Sequence, residues 1–167
     1  MHVSMNGLGE RAGNAELAET VMALELLYEV DTGVDIEKLG ETSRIVEHVS
    51  GYPNALTKPV VGRNIFLRES GAVVQQMLVS PQSVEAFEPA LVGLDRNVVL
   101  GKNSGQASIR YTLQRLGIGV GAVDIESALR LVKDLATKRR RLVTDAEFIG
   151  IVNNLRGRST QSRPEDR

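Results

Sequence analysis

Apolar residues recur three and four positions apart through the first fifty residues, which is the period of a helix with one buried face. The stripe is clearest over residues 15–29 and again over 36–50. A short β-like run at residues 2–5 precedes the first of these segments, and another at 30–34 precedes the second. The pattern therefore predicts strand, helix, strand and helix in that order. Two such units cannot cover both faces of a parallel sheet, so this region is predicted to be a piece of a larger α/β structure.

The hydrophobic pattern changes in the second half of the chain. A breaker with two prolines and one glycine occupies residues 50–59, and residues 60–100 show only short apolar runs. Helical periodicity then returns in three segments, 105–116, 124–137 and 144–155. We therefore predict an α/β fragment followed by mainly α structure. The predicted parts are 1–52, 53–100, 101–156 and a polar, disordered tail at 157–167.

Polar residues mark the starts of the last two predicted helices. Asp124 is placed to cap one of them, and Thr144 with Glu147 has the spacing of a capping box at the start of the other. Between these helices lies the basic run KRRR at residues 138–141. We interpret this run as a solvated helix end, where cations complement the helix dipole, in preference to a nucleic-acid site.

Composition narrows the classes of function. The 167 residues include no cysteine, which excludes disulfides, thiolate metal sites and cysteine nucleophiles. Their formal net charge is −1 and only 4% are aromatic, so neither nucleic acid nor a membrane surface is an expected partner. Apolar runs of membrane-spanning length and a signal-peptide pattern are both absent from the sequence. We expect a cytoplasmic protein.

A glycine-rich turn follows the first predicted strand and admits more than one interpretation. Gly7, Gly9 and Ala12 fit the G-x-G-x-x-A pattern of dinucleotide-binding turns, with Asp31 about twenty residues further on. Two charged residues inside the turn oppose that interpretation, because a pyrophosphate approaches bare backbone there. The chain also lacks the further βαβ units of a doubly wound sheet. A simpler alternative is a helix-entry loop in which Asn14 is the N-cap.

A third interpretation rests on longer strings of residues. NGLGERAGN at 6–14 resembles the loop after the seventh barrel strand in the family of homocitrate, isopropylmalate and citramalate synthases. KPVVGRNIF at 58–66, ESG at 69–71 and VVLGKNSGQASI at 98–109 resemble later motifs of that family, in the same order. The resemblance covers about residues 2–155.

The resemblance implies a fold and an activity. Members of this family are metal-dependent TIM-barrel enzymes that join acetyl-CoA to a 2-oxo acid by a Claisen-type condensation. Residues 1–52 would be the last two βα units of the TIM barrel. Residues 53–100 would be a linker with a first small subdomain, and residues 101–156 a second, helical subdomain.

The resemblance also implies an incomplete active site. Asn14 matches the asparagine that closes the family's G-E-R-x-G-N motif and is one ligand of a divalent metal (Zn, Mn or Mg). The D-x-x-R-E and H-x-H motifs that supply the other ligands have no match in this chain. A single amide oxygen cannot hold a divalent cation. The metal is therefore expected to be shared with a partner chain that carries the first six βα units.

Other residues of the loop receive supporting roles from the resemblance. Glu10 and Arg11 are candidates near the catalytic site, although an ion pair that fixes the loop is the simpler interpretation. Gly7, Gly9 and Gly13 are expected to shape the loop by allowing a tight turn and close backbone approach.

Two valines depart from the family pattern. Val73 and Val84 match the second histidine of H-E-S-G-I-H and the tyrosine that follows that motif, and valine cannot carry a proton. Arg68 matches the first histidine and is a candidate clamp for a substrate carboxylate. A surface ion pair with Glu69 or Glu85 is the alternative for this arginine.

The family's L-G-K-H-S-G motif yields two further candidates for substrate binding. Lys102 and Ser104 would contact CoA phosphates beside a helix start. Ser104 as an ordinary N-cap is the alternative. Asn103 stands where the family has a histidine.

Two hypotheses follow for the function. The first is the C-terminal part of a synthase that condenses acetyl-CoA with a 2-oxo acid, inactive without the rest of the barrel, in a hetero-oligomer or a dimer with exchanged subdomains. The second is a non-catalytic regulatory or stabilising subunit of such an enzyme. A naturally split enzyme and a fragment of a longer one both fit the sequence. The 2-oxo acid, the metal and the effect of the two valines stay open.

Overall fold

The protein is mainly helical. The computed structural model describes residues 1–161, and at residue 122 and residues 158–161 only the backbone. Within that range it has six α-helices and four strands of two residues each. The helices are α1 Leu17–Tyr28, α2 Leu39–Ser50, α3 Gly71–Val79, α4 Gln106–Arg115, α5 Ile125–Arg139 and α6 Asp145–Gln161. The strands are β1 Val3–Ser4, β2 Ala15–Glu16, β3 Leu67–Arg68 and β4 Asn97–Val98.

The chain divides into two compact units. The first contains Met1–Leu67 and Glu85–Arg96, and the second contains Arg68–Val84 and the chain from Asn97 onward. The structure therefore divides the chain at other places than the predicted boundaries. The range 53–100, predicted as a linker and a first subdomain, contributes residues to both units.

The first unit begins with a parallel pair of strands. Val3 is paired with Ala15 and Ser4 with Glu16, so the residues between them form a closed loop from one strand to the next. α1 follows β2 directly and α2 lies beyond a short 3-10 turn. Both predicted helices of this region are present, although α1 starts two residues after the predicted start at residue 15 because Ala15 and Glu16 are extended.

The predicted strand at residues 30–34 is wrong. These residues form an irregular connection. The Asp31 carboxylate accepts the N–H of Gly33 at 2.9 Å, and the Thr32 hydroxyl accepts the N–H of Val34 at 3.3 Å. Such local bonds from side chain to backbone compete with an extended ladder. The second predicted βα unit consequently lacks its strand.

Helices and loops enclose the core of the first unit. Phe66 and Phe87 meet edge to face, with ring centroids 5.4 Å apart and planes at 84°. That arrangement is the favoured one for an aromatic pair. The buried apolar residues of this core are Ala18, Met22, Leu39, Val61, Phe66 and Val92.

The second unit packs α4, α5 and α6 around one larger core. Its fully buried residues are Ile109, Leu113, Ala128, Val132, Phe148 and Val152. A smaller cluster of Val74, Met77 and Val98 packs beside α3. The three helices predicted at 105–116, 124–137 and 144–155 correspond to α4, α5 and α6.

The predicted helix starts of α5 and α6 are confirmed. An Asp124 carboxylate oxygen accepts the N–H groups of Glu126 at 3.1 Å and Ser127 at 3.3 Å. The Thr144 N–H donates to the Glu147 carboxylate at 3.0 Å, and the Glu147 N–H donates back to the Thr144 hydroxyl at 3.3 Å. This reciprocal pair is a capping box.

The end of α6 differs from the predicted tail. The helix continues through residue 157 to Gln161, so the first part of that tail is helical. The remainder, at 162–167, lies outside the described residues. Over the residues that the structure describes, we find no helix long and apolar enough to cross a membrane.

Candidate functional site

The loop between β1 and β2 turns through several left-handed backbone conformations. Asn6 has φ 60°, Gly7 φ 68°, Arg11 φ 57° and Gly13 φ 86°. Two of the four are glycines, which adopt positive φ at little cost. The Asn14 N–H donates to the Gly7 carbonyl at 3.0 Å and closes the loop.

Close approach explains two glycines of this loop. A Cβ on Gly13 would lie 2.3 Å from the Gly7 carbonyl oxygen. A Cβ on Gly9 would lie 2.7 Å from Nδ2 of Asn14. Real Cβ atoms essentially never lie this close, so a side chain at residue 13 would displace the Gly7 backbone and one at residue 9 would displace the Asn14 carboxamide.

The Asn14 side chain is exposed at the end of this loop. Its Nδ2 donates to the Leu8 carbonyl at 3.2 Å, which fixes the orientation of the carboxamide. Along residues 1–161 no donor contacts Oδ1, so that oxygen is available to a ligand. The alternative in which Asn14 caps α1 is wrong, because Glu16 is the N-cap and accepts the Glu19 N–H at 2.7 Å.

A set of buried and half-buried polar residues supports the loop, and none of their contacts is among the predictions from sequence. The Glu16 carboxylate accepts the Asn6 N–H at 2.9 Å as well as capping α1. The Asn6 side chain donates to the Ser43 carbonyl at 3.0 Å and accepts the Ser43 hydroxyl at 2.6 Å. Asn54 Nδ2 donates to the same hydroxyl at 2.9 Å. Only the Asn-Gly pair at residues 6–7, a frequent positive-φ turn, offered a signal.

Glu10 and Arg11 are both exposed. Neither takes part in an ion pair within the described part of the chain, so the expected pair that fixes the loop is not formed. The Glu10 contribution is its backbone carbonyl, which accepts the Gly13 N–H at 3.0 Å. Arg11 lines an open cavity of about 580 Å³ together with Tyr52 and the glycines of the loop.

The second unit carries the other candidates, and Ser104 differs most from its expected role. This residue is buried, and its hydroxyl accepts the Gly101 N–H at 2.9 Å. The N-cap of α4 is Gly105, so the N-cap alternative for Ser104 is wrong. The hydroxyl closes a backbone turn and is not presented to solvent.

Arg68 is half-buried, and its Nη2 donates to the Val84 carbonyl at 3.1 Å. The two carboxylates named as its alternative partners also form bonds with other groups. Glu85 is buried and forms a bidentate pair with Arg96 at 2.6 and 2.9 Å, which raises the pKa of that guanidinium. Glu69 accepts the Asn103 N–H at 2.9 Å.

Lys102 is exposed beside a cavity of about 400 Å³. Arg140 and Arg141 from the basic run line the same cavity, as does Glu69. Arg141 pairs with Glu147 at 2.8 Å and lowers the pKa of that carboxyl to about 2. The basic run therefore lies at the end of α5 as expected, and two of its four cations line the cavity.

The two valines at the positions that the resemblance assigns to ionisable residues lie in different surroundings. Val84 lies against the small cluster that contains Val74, Met77 and Val98. Val73 is half-buried on α3. Neither side chain can exchange a proton, so any proton transfer would involve other groups.

The residues that the structure describes hold no cluster of three or more histidines, aspartates or glutamates suited to a metal ion. The Asn14 amide oxygen fits one position around a hard divalent cation. It does not make a complete site, and further oxygen or nitrogen ligands would have to come from other residues.

Two family models match the chain in succession. Residues 1–46 match the HMGL-like model, and residues 60–140 match the homocitrate synthase post-HMGL domain-like model. Together they cover the Asn14 loop and most residues that line the cavity beside Lys102, with Arg141 and Leu142 just beyond the second match.

Curated relatives agree with these matches. A (R)-citramalate synthase of Methanocaldococcus jannaschii is 36% identical over 97% of this chain and 33% of its own length. A homocitrate synthase of the same organism is 40% identical over 91% of this chain and 37% of its own length. A probable 2-isopropylmalate synthase of Ignicoccus hospitalis is 42% identical over 86% of this chain and 36% of its own length. The chain thus spans about a third of the length of these relatives. It belongs to the family of homocitrate, 2-isopropylmalate and citramalate synthases.

Proposed function

We propose that the chain supplies one part of a metal-dependent synthase that condenses acetyl-CoA with a 2-oxo acid. The observation that carries this proposal is the identity of 36–42% to synthases of three related specificities along most of the chain. In this proposal the rest of the active site comes from protein that carries the remaining barrel strands. Residues 1–52 would then contribute the end of that barrel, with the strand pair β1–β2, α1 and α2, although residues 30–34 form no strand in this chain.

The role of Asn14 follows from its surroundings. Its Nδ2 is held by the Leu8 carbonyl, and its backbone N–H is held by the Gly7 carbonyl. Both bonds leave Oδ1 as the exposed, oriented acceptor of the loop. Asn14 would offer this oxygen to a divalent metal, and Glu10 and Arg11 would stand exposed at the mouth of the site. A bound metal would polarise the carbonyl of the 2-oxo acid toward attack by the acetyl-CoA enolate.

Exposed apolar side chains support the proposal that more protein covers the first unit. Leu26, Leu27 and Tyr28 are exposed at the end of α1, and Ile45 and Val49 are exposed on α2. Contiguous apolar patches mark surfaces for protein contact, and here three of these residues are consecutive while the other two lie one helical turn apart. A partner with the first six βα units, in a hetero-oligomer or a dimer with exchanged subdomains, would bury them.

The test begins with tagged chain purified from its native cells together with whatever protein accompanies it. Release of CoA from acetyl-CoA is measured with pyruvate, 2-oxoglutarate and 2-oxoisovalerate. We expect activity with one of the three acids, and identification by mass spectrometry of a partner with D-x-x-R-E and H-x-H motifs. Asn14→Ala should lower that activity by about 100-fold or more, since loss of a mere outer-shell partner of a metal ligand already costs about 10- to 100-fold. Asn153→Ala, a change of the same size at an exposed position of α6, should not.

The second hypothesis is a regulatory or stabilising subunit without a catalytic duty. It is favoured by Val73 and Val84 at positions where the resemblance implies ionisable residues. The same variant separates the two hypotheses. If Asn14→Ala leaves the partner's condensation rate unchanged while the complex stays intact, the subunit is regulatory and the catalytic proposal fails.

A further inference from the structure

The cavity beside Lys102 is a built feature of the second unit. We call it the basic cavity, and its lining includes Glu69, Gly101, Lys102, Arg140, Arg141 and Leu142. Its volume of about 400 Å³ lies in the range of sites for small molecules. A macromolecular ligand would not fit within it.

Backbone contacts hold two sides of the basic cavity in place. The Val143 N–H donates to the Leu100 carbonyl at 2.8 Å, in an isolated antiparallel bridge. Gly101 and Lys102 follow Leu100, and Arg141 and Leu142 precede Val143. The bridge therefore sets the first two residues beside the other two. The cavity is therefore preformed, and a ligand would not have to order these segments.

Gly101 keeps the floor of the basic cavity open. A Cβ at this position would lie 2.3 Å from Oε1 of Glu69 and 3.1 Å from Cδ2 of Leu142. Glu69 is fixed there because the same Oε1 accepts the Asn103 N–H at 2.9 Å. Any side chain at residue 101 would therefore displace the Glu69 carboxylate from this position.

The charge in the cavity is unbalanced. Arg141 pairs with Glu147, to which its Nη1 and Nη2 donate at 2.9 and 2.8 Å, and Arg139 shares the same carboxylate at 2.7 Å. Lys102 and Arg140 have no acceptor among residues 1–161, and both are exposed. Arg140 also has φ 52° at the end of α5, an uncommon conformation for a residue other than glycine. Two unpaired cations thus line one preformed cavity, and they outnumber the single Glu69 carboxylate in its lining.

We propose that the basic cavity binds a small phosphate-bearing molecule. Lys102 and Arg140 would contact the phosphate oxygens, since a doubly charged oxyanion matches two cations. Leu142 and Ala136 give the cavity an apolar wall, against which a ring or alkyl part of the ligand would lie. This inference is independent of the condensation reaction, because binding is measurable on the chain alone.

The test is a titration of the isotope-labelled full chain, followed by the backbone amide signals of the cavity residues. Phenyl phosphate and inorganic phosphate are compared with sodium chloride at matched ionic strength. We expect saturating shifts at Gly101, Lys102 and Arg140 with phenyl phosphate, with a Kd of about 1 mM or below. Lys102→Met and Arg140→Asn should each weaken binding about fivefold or more, since each removes one charged contact.

Matched variants separate a site from general attraction. Asparagine tolerates positive φ, so Arg140→Asn removes the charge while preserving the end of α5. Lys102→Arg keeps the charge and should retain binding. Arg110→Gln, which removes an exposed cation of α4 outside the cavity, should leave the affinity unchanged.

The outcomes distinguish the sources of phosphate. Tighter binding of phenyl phosphate than of inorganic phosphate supports an organic phosphate that uses the apolar wall. Equal saturating binding supports a site for the phosphate group alone. Shifts that grow linearly and equal those with chloride, or an equal loss of affinity in Arg110→Gln, would overturn the proposal. A native amide spectrum of each variant confirms that it is folded.

Discussion

Single residues of the Asn14 loop are constrained by what surrounds their Cα atoms more than by their side chains. Gly13 faces the Gly7 carbonyl, and Gly9 faces the Asn14 carboxamide, at distances that leave no space for a methyl group. The position of the Asn14 oxygen therefore depends on residues that carry no functional group. This dependence makes the glycines the sharpest test of the loop.

Gly13→Ala should destabilise the first unit strongly. The residue has φ 86°, and a Cβ would lie 2.3 Å from a backbone oxygen. The strain of positive φ and the clash add, so we expect a loss of about 3 kcal/mol in the free energy of unfolding. Urea unfolding followed by circular dichroism measures it.

Gly33→Ala is the matched control for that prediction. Gly33 has φ 69°, but a Cβ added there would have no heavy atom within 4 Å. Only the conformational cost applies at this position, about 1 kcal/mol. If both variants lost the same free energy of unfolding, the close contact at Gly13 would add nothing to the cost of the positive φ, and the prediction would be wrong.

Glu147 should make stability depend on pH through its folded-state pKa. Arg141 and the Thr144 N–H lower that pKa from 4.5 to about 2. A carboxyl with a depressed folded pKa stabilises the fold above its unfolded pKa, and this contribution is lost as the pH falls through the folded value. Glu147→Gln keeps the capping box but not the charge. The variant should be less stable than the wild-type chain above about pH 5, and the difference should shrink toward about pH 2.

Thermal unfolding midpoints across this pH range measure the effect. Asp134→Asn removes an exposed carboxylate of α5 that has no hydrogen bond or ion pair to the described residues. It should show no such convergence. A constant difference between Glu147→Gln and the wild-type chain at every pH would contradict the prediction.

Residue types predicted the N-terminal caps of α5 and α6 but not those of α1 and α4. The path of the backbone decides whether a capping side chain can reach the helix start. Asp124, Thr144 and Glu147 stand where an extended residue meets a helix, so their side chains act as their types predict. Asn14 has the same propensity, but β2 separates it from α1, and a buried glutamate takes the cap. Ser104 is one residue too early and turns back to Gly101.

At the scale of elements, hydrophobic periodicity identified the helices because each buries one continuous face. Five helices lie where the period predicted them. The short strands were harder to predict from the sequence. Residues 30–34 have the composition of a strand, but Asp31 and Thr32 bond to their own backbone. The period also missed α3, Gly71–Val79, where only Val74 and Met77 are fully buried.

The packing of α6 provides the element-scale prediction. Phe148 is fully buried on this helix, and its neighbour Ile149 is 38% exposed. Phe148→Ala should lower the free energy of unfolding by about 3–5 kcal/mol, because it leaves a cavity among α4, α5 and α6. Ile149→Ala should cost less than about 1 kcal/mol. Similar losses in urea unfolding would mean that α6 is not anchored by its buried face.

At the scale of the whole molecule, the two units interleave along the chain in a way that local patterns do not reveal. Residues 85–96 return to the first unit because Phe87 and Val92 pack in its core. Residues 68–84 belong to the second unit, where Val74 and Met77 pack with Val98. These contacts join residues far apart in sequence. A linear division at 53–100 could not anticipate them.

The exposed apolar residues of the first unit lead to the last prediction. Leu27 is 75% exposed and Val49 is 80% exposed, so neither contributes much to the core. If they form part of a protein-contact surface, the double variant Leu27→Gln, Val49→Gln should self-associate less than the wild-type chain. It should also bind its partner at least tenfold more weakly, which corresponds to about 1.4 kcal/mol of binding free energy. Sedimentation and partner capture measure both effects. Val79→Gln is the control, since Val79 is 76% exposed on α3. An equal loss in that variant would assign association to general hydrophobicity and remove this support for a partner on the first unit.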